Sequence, residues 1–493
     1  MIPPGDQPAS CVETAVGRPE ALPLCVDLDG TLIHGDLLWE CVVLLLKKNP
    51  FCLLLAPWWF IRGGRANVKR RLAQRASPEP GNIVFNRELL EFLGSERRRG
   101  RTLVLATAAD QQLAEAVAAH TALFDQVHGS LTGRNLKGRR KAELLISLFG
   151  NRGFDYAGNS SADMPIWRLA SGAYVVGSEK TAARAAEVTE LRRWFPHRPG
   201  DLSCWSRAIR IHHWSKNLLM LLPVLLAHRL SWRALLLTAV GIMLFGLCSS
   251  GVYALNDLLD LHSDRAHPWK SERPFAAGEL SIASGLVTSC LLLASSLGLG
   301  ALLLNTAFAG ALAFYAVIAT WYSLRLKRFA LFDVFVLSSF YTIRIWAGGL
   351  ITNTPLSQWF LGFSLFFFLS LAMAKRYSEL VHAAELVESG NSGRSYRAGD
   401  RALLMNIGIA SCFSAIVILS LYVHSNQVTV LYPHPGLLLL LCPLILYWTC
   451  RIWLKAQRGE LDEDPVTLAM RDPASYAVAA IGLGIMLLSF VKL

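Results

Sequence analysis

Asn256-Asp257-Leu258-Leu259-Asp260-Leu261-His262-Ser263-Asp264 closes a long apolar segment and stands just ahead of Lys270 and Arg273. In a helix, positions 256, 260 and 264 fall four apart and share one face, which lines up three oxygen donors. Carboxylates beside hydrocarbon are costly unless a cation compensates them. The stretch therefore predicts a magnesium site at a membrane edge, with Asp257 as a neighbouring ligand and the basic residues that follow as partners for a metal-bound diphosphate. A solvated helix end with ordinary charges is the plain alternative.

The rest of the chain agrees with a membrane setting. Its 493 residues are 53% hydrophobic and 17% charged, too apolar for an ordinary soluble protein. Apolar segments of spanning length recur at roughly 215–230, 233–255, 281–303, 306–323, 331–351, 356–374, 402–424, 434–452 and 473–491, which predicts about nine transmembrane helices. Pro223 and His228 interrupt the first of these, and it is the one that fits the interface as well as a span.

The formal charge of +12 does not indicate nucleic acid, because no basic stripe with interleaved aromatics occurs. Lys and Arg instead alternate with the spans. With the N-terminus inside, the inner loops hold Arg265, Lys270, Arg273, Arg325, Lys327, Arg328, Lys375, Arg376, Arg394, Arg397, Arg401, Lys455 and Arg458, whereas Arg229 and Arg233 stand in the first outer loop. That bias predicts a multi-pass protein of the inner (cytoplasmic) membrane with the acidic motif on the cytoplasmic side. The first twenty residues lack the apolar core of a signal peptide, and the ten scattered cysteines form no CxxC pair, as expected for a reducing compartment.

Ahead of the spans, residues 20–195 read as a soluble α/β domain following a tail at 1–19. Strands are expected at 22–27, 102–107 and 154–157. Pro196-His197-Arg198-Pro199-Gly200 breaks the pattern, placing a linker at 196–204 and a membrane domain at 205–493. Asp27-Leu28-Asp29-Gly30-Thr31-Leu32 follows the first strand, where alternation puts both carboxylates on one side: one to attack phosphorus, the other to handle protons.

Thr107 ends the second strand, Lys141 opens a helix, and Gly158-Asn159-Ser160-Ser161-Ala162-Asp163 follows the third. In this order the four segments resemble the motifs of haloacid dehalogenase-type phosphatases, over most of residues 20–180. The resemblance implies a Rossmann-type domain with Asp27 as nucleophile and magnesium ligand and Asp29 as general acid/base. It also implies Thr107 and Lys141 on the phosphoryl group, and Asn159 and Asp163 at the magnesium. Lys137 competes with Lys141 for its role. Asn159 stands where that family carries Asp, which weakens the metal site and keeps open a decayed domain serving as scaffold or regulator.

Where such phosphatases carry a cap, at about 37–75, two apolar pieces of about ten residues end in Trp58-Trp59-Phe60, followed by Arg62, Arg65, Lys69, Arg70 and Arg71. The pieces are too short to span, so a membrane-interfacial cap is expected; a soluble cap with a buried helical core is the alternative.

The membrane domain resembles the UbiA superfamily of intramembrane transferases at Asn256, Asp257, Asp260, Asp264 and Arg265, then His267-Pro268, Lys270, Arg273-Pro274 and Gly278. A second acidic motif, usual in its aromatic prenyltransferases, is incomplete here: Tyr322-Ser323-Leu324-Arg325-Leu326-Lys327 precedes a single Asp333, with Leu337 one turn on.

That departure is more similar to the branch transferring 5-phosphoribosyl from phosphoribosyl diphosphate to polyprenyl phosphate, which the chain resembles at Trp214-Ser215-Lys216-Asn217, at Tyr341, Arg344, Ala347, Gly348 and Gly349, and at Lys375, Arg376, Tyr377, Glu379 and Leu380. By this resemblance Asp260 and Asp264 are catalytic, and Mg2+ sits on Asn256, Asp257, Asp260 and Asp264. Lys216, Asn217, Lys270, Arg273, Tyr322, Lys327, Asp333, Arg344, Lys375 and Arg376 then bind substrates. Their plainer readings are a buried Asp333/Arg344 pair, a Lys375/Glu379 pair and a snorkelling Lys216.

Together the two resemblances imply an enzyme that makes polyprenyl phosphoryl ribose, a precursor of lipid-linked arabinofuranose in the cell envelope, the phosphatase removing the 5-phosphate. The alternative moves a polyprenyl chain to an aromatic acceptor, with the soluble domain a scaffold. A homo-oligomer is left open.

Overall fold

A computed structural model describes residues 21–490 apart from 132–134, 197–199, 229, 386–395, 462–464 and 470. The expected tail, positions 197–199 of the linker, Arg229 and Arg394 lie outside the described residues. Two compact units result, one ending at Asp201 and taking in Ala277–Ile282, the other Leu202–Ala276 with Ala283–Leu493.

The first unit is built on six parallel strands: β1 (Leu24–Val26), β2 (Leu103–Asp110), β3 (Gln126–Ser130), β4 (Asp155–Gly158), β5 (Gly172–Gly177) and β6 (Glu190–Pro196). Their order, β3-β2-β1-β4-β5-β6, is that of the doubly wound Rossmann-type fold. Alternation along each strand serves both faces. Leu24, Val26, Leu103 and Leu105 enter the core under the helix Arg87–Arg98, while Cys25, Val104, Ala106 and Tyr156 pack with Trp167 on the opposite side. Arg101 ties the sheet's lower edge by pairing with Glu96 and Asp155 and donating to the Tyr174 hydroxyl.

Between β1 and β2 the cap runs as a helix Leu37–Lys48, a tight 3-10 turn Pro50–Leu55, and a helix Ala56–Arg75. The last is broken at Gly63 and Gly64.

The second unit is all helical. Among the described residues, eight helices are long and apolar enough to cross a membrane: Trp232–Leu259, Ile282–Leu304, Thr306–Leu324, Phe332–Ile351, Gln358–His382, Arg401–Val423, Pro435–Gln457 and Pro473–Phe490. The protein is an integral membrane protein. The first of the nine expected segments is instead a 3-10 helix, Ile211–Leu221, continued by the short α-helix Leu222–Leu226. At ~2.0 Å per 3-10 residue this run still reaches roughly 30 Å, the thickness of a hydrocarbon core.

Glycines let it lie close to its neighbours. A Cβ at Gly246 would meet the Trp214 ring at 2.5 Å, and one at Gly348 would meet the Met220 carbonyl oxygen at 2.3 Å.

Candidate active sites in two units

In the soluble unit, the functional side chains gather beyond the carboxyl ends of β1, β2 and β4, where the register sets Val26 beside both Leu105 and Ala157. Asp27 follows β1 and is buried. Its Oδ1 accepts from the Leu28 N–H at 2.9 Å and lies 2.8 Å from Lys141 Nζ. Lys141, at the start of the helix Arg139–Phe149, is 2% exposed and also donates to the Tyr156 hydroxyl at 3.0 Å. Tyr156 donates onward to Asp163 Oδ1 at 3.1 Å, while Asp163 Oδ2 collects the N–H groups of Asn159 and Ser160.

One network thus joins Asp27, Lys141, Tyr156 and Asp163. Lys137 lies exposed on the loop before the helix, so geometry favours Lys141 of the two lysines.

Thr107 is buried within β2, its hydroxyl accepting from the Ala109 N–H at 3.0 Å. Asp29 accepts from the Leu37 N–H at 3.0 Å. Burial, with the charge of Asp36 next, pushes the Asp29 carboxyl up to about 7, a value suited to giving and taking protons near neutrality. Burial also raises Asp27, with Lys141 opposing it. Asn159 sits against Gly30, where a Cβ would lie 2.1 Å from its Nδ2; Gly30 has φ +72 and needs no side chain. The short motifs gave no reason to single out Tyr156, and Lys69, expected among the basic residues behind the cap aromatics, instead donates from Nζ to the Ala108 carbonyl oxygen at 2.6 Å.

In the membrane unit a cavity of about 540 Å3 is lined by six of the expected residues: Asn256, Lys216, Tyr322, Arg344, Lys375 and Arg376. Tyr341, which carries part of the resemblance, also lines it, as do Arg210, His212, His213, Tyr253, Tyr315 and Arg471, which were missed. Arg210-Ile211-His212-His213, directly before Trp214, is the sequence signal that could have found three of them. No carboxylate lines the cavity among the described residues, while Arg210, Lys216, Arg344, Lys375, Arg376 and Arg471 do. Such a lining suits an anionic occupant with several phosphate groups.

The acidic motif departs from the single helix expected. The helix Trp232–Leu259 ends at Asp260, and a second, Leu261–Arg265, follows. Backbone bonds from Asp260 N–H to Asn256 O and from Asp264 N–H to Asp260 O keep the four-residue register across the break. The carboxylates nevertheless take separate partners. Asp257 accepts from Arg210 at 2.5 Å and Arg273 at 3.1 Å, Asp264 from Arg273 at 2.7 Å, and Asp260 from Lys327.

No three Asp, Glu, His or Cys side chains form a metal-holding group among the described residues. The donor set still suits magnesium in kind. Asn256 lines the cavity with its Oδ1 buried and without a hydrogen-bond partner, an orphaned acceptor beside two carboxylates.

Asp333 and Arg344 do not pair. Asp333 is fully buried, accepting from Arg376 Nε at 2.7 Å and from Tyr396; Arg376 also binds Glu379 and the Tyr322 hydroxyl. This takes up Glu379 as an i,i+3 partner. Arg344, 3% exposed, donates to Asn217 Oδ1 at 2.9 Å, to the Phe340 carbonyl oxygen at 2.7 Å and to the Tyr315 hydroxyl at 3.4 Å. Asn217 therefore stands behind Arg344 rather than on the cavity wall. Lys216 Nζ lies 5.6 Å from the centre of the Tyr341 ring, and Lys270, on a short turn Lys270–Glu272, does not line the cavity.

A bundle of long apolar helices around a cation-lined cavity with an acidic motif beside it defines an intramembrane transferase. The second unit carries a domain of the UbiA prenyltransferase family, whose profile matches residues 218–463. It is 39% identical over 466 residues to an uncharacterized protein, y4nM, of Sinorhizobium fredii, covering 93% of this chain and 89% of that one. Over 292 residues it is 33% identical to the nodulation protein NoeC of Azorhizobium caulinodans, 58% of this chain and 94% of that one. The decaprenyl-phosphate phosphoribosyltransferase of Mycobacterium tuberculosis is 37% identical over 184 residues, 36% of this chain and 60% of the relative.

Proposed function

We propose that the membrane domain transfers 5-phosphoribosyl from phosphoribosyl diphosphate to a polyprenyl phosphate, and that the soluble domain then removes the 5-phosphate to give polyprenyl phosphoryl ribose. The observation that carries the first step is Arg344. It is a buried guanidinium on the cavity wall whose partners are an amide, a backbone carbonyl and a phenol, none of them a carboxylate. An unneutralised buried cation is costly, so its anion arrives with the substrate, and a phosphate is the group a guanidinium holds best. The 37% identity to a decaprenyl-phosphate phosphoribosyltransferase supports the same donor and acceptor.

In the transfer, the bond from ribose C1 to the diphosphate oxygen breaks, a bond from C1 to a lipid phosphate oxygen forms, and diphosphate leaves. Arg344 fixes the attacking phosphate, while Lys216 and Lys375 neutralise the remaining oxygens; Arg376, expected to bind substrate, is held instead by Asp333 and Glu379. Asn256, Asp260 and Asp264 would hold magnesium, which when bound neutralises the departing diphosphate. Arg273 and Lys327 hold the carboxylates in place.

In the soluble domain Asp27 attacks the phosphorus of the 5-phosphate, Asp29 protonates the departing ribose oxygen, and water then hydrolyses the aspartyl phosphate with Asp29 as base. Lys141 and Thr107 hold the phosphoryl oxygens. Asp27, Asn159 and Asp163 would hold a magnesium there, which shields the phosphoryl charge when bound.

If the irregular run Ile211–Leu226 crosses the membrane with the eight long helices, the soluble domain and the acidic motif share the cytoplasmic side, as the loop charges require. Incubating the purified protein with labelled phosphoribosyl diphosphate and, separately, labelled isoprenyl diphosphate tests the reading. Label must pass to polyprenyl phosphate from the first. Transfer from the second to an aromatic acid supports the prenyltransferase alternative that the family name keeps in view.

A further inference from the structure

The cap turns its apolar side outward. Phe51, Leu54, Leu55, Trp58, Phe60 and Ile61 are between 45% and 77% exposed. Large apolar side chains clustered at the surface mark a contact surface. Loose packing does not explain them, because Trp59, in the middle of the run, is 6% exposed: the Arg75 guanidinium lies 4.8 Å from its ring centre and Asn67 donates to its carbonyl oxygen at 2.8 Å. The lobe has a defined inner and outer face.

Charge identifies what the outer face meets. Between Glu40 and Glu79 the chain carries eight Lys and Arg residues and no Asp or Glu. Lys48, Arg62 and Arg65, which flank the apolar run, are all exposed. A surface of aromatic and aliphatic side chains rimmed by cations complements an anionic lipid interface. A second copy of the same lobe would set like charges against each other.

The break at Gly63 and Gly64 divides this lobe from the rest of its helix. Gly64 has φ +62, with open space where a Cβ would stand. Beyond the break the helix carries Lys69, whose Nζ reaches the Ala108 carbonyl oxygen next to Thr107. Lys69 also lowers the proton affinity of Asp29. One cap element thus bears an apolar lobe on one side of a bend and a cation at the candidate phosphatase site on the other.

We propose that residues 50–62 are a membrane-docking lobe. Phe51, Leu54, Trp58, Phe60 and Ile61 enter the interface of a bilayer containing anionic phospholipid, and Lys48, Arg62 and Arg65 meet the headgroups. The bend at Gly63 and Gly64 lets the lobe seat while the following helix keeps Lys69 beside the site. Docking brings a lipid-linked phosphate ester to Asp27; that consequence rests on the phosphatase reading, whereas the docking does not.

The test uses the full chain in nanodiscs of phosphatidylcholine with phosphatidylglycerol, doped with a phospholipid carrying a photoactivatable diazirine near its headgroup. Irradiation followed by peptide mass mapping should place lipid adducts on residues 50–62. Combined Phe51→Ser, Trp58→Ser and Ile61→Ser substitutions, with Trp59 retained, should reduce those adducts severalfold and leave the thermal unfolding midpoint unchanged. The same variant should dephosphorylate a lipid-linked sugar phosphate severalfold more slowly while hydrolysing p-nitrophenyl phosphate at the parent rate.

Adducts on the lobe no more frequent than on exposed Leu131, outside the cap, would overturn the proposal. Adducts with no turnover of either ester by the parent protein would uphold docking and overturn the phosphatase reading instead.

Discussion

Arg344 Nε donates to Asn217 Oδ1 at 2.9 Å, so a buried arginine on the cavity wall is steered by a neutral amide where a structural arginine has a carboxylate. Arg376 shows the contrast, with Asp333 and Glu379 both on its guanidinium. The first arrangement keeps a cation available to an incoming anion; the second spends it inside the protein.

Asn217→Ala should therefore raise KM for polyprenyl phosphate about tenfold or more while changing KM for phosphoribosyl diphosphate little, since a charge-assisted contact contributes about 1.5–3 kcal/mol. Arg344→Ala should remove transfer altogether. Steady-state kinetics with each substrate varied separately checks both, and equal KM changes for the two substrates on Asn217→Ala would count against Arg344 as the acceptor clamp.

Asp333 should behave as a structural residue. Asp333→Ala leaves the buried Arg376 guanidinium without its fully enclosed partner, and breaking such a pair costs about 3–5 kcal/mol. A large drop in the unfolding midpoint in detergent is expected; an unchanged midpoint with lost transfer would instead place Asp333 in the chemistry.

Asp260→Ala and Asp264→Ala should each abolish transfer to lipid and leave hydrolysis of a soluble phosphate ester untouched, because the acidic motif and Asp27 lie in separate compact units. Chelation of divalent cations should stop the transfer as well. Equal loss of both activities in a well-folded variant would contradict two independent sites.

Lys141→Ala should lower phosphatase turnover by about a hundredfold or more, the range expected when a positioned charge at the reacting group is lost, whereas Lys137→Ala should have no effect. The 2.8 Å contact to Asp27 and the exposure of Lys137 give the two lysines opposite predictions. Hydrolysis of p-nitrophenyl phosphate by each variant decides.

Much of this architecture was legible in the sequence because it is carried by long or repeated signals. The three strands before Asp27, through Thr107 and before Gly158 were found within a few residues, since each is a buried apolar run. β3, β5 and β6 were not: Gln126–Ser130 has only two buried residues, and Glu190–Pro196 is an edge strand rich in charge. Pro223 and His228 flagged the first membrane segment as irregular, but its 3-10 geometry depends on Trp214 and Met220 packing against Gly246 and Gly348, which only the fold brings together.

Side-chain pairing was the least legible level. Helical spacing set Asp333 and Arg344 near one face, yet Arg376 and Tyr396 from other segments captured the carboxylate. Three aromatics at 58–60 read alike until burial separated Trp59 from Trp58 and Phe60.

The most direct test of the whole account is a doubly labelled donor: phosphoribosyl diphosphate carrying carbon label in the ribose and radiophosphorus at the 5 position, given with polyprenyl phosphate and magnesium to the parent protein and to Asp27→Asn. Both labels should appear on lipid in the variant, whereas the parent should retain the carbon label on lipid and release the radiophosphorus as inorganic phosphate. Absence of either label from lipid in both proteins, with an isoprenyl diphosphate passing its chain to an aromatic acid, would contradict the account.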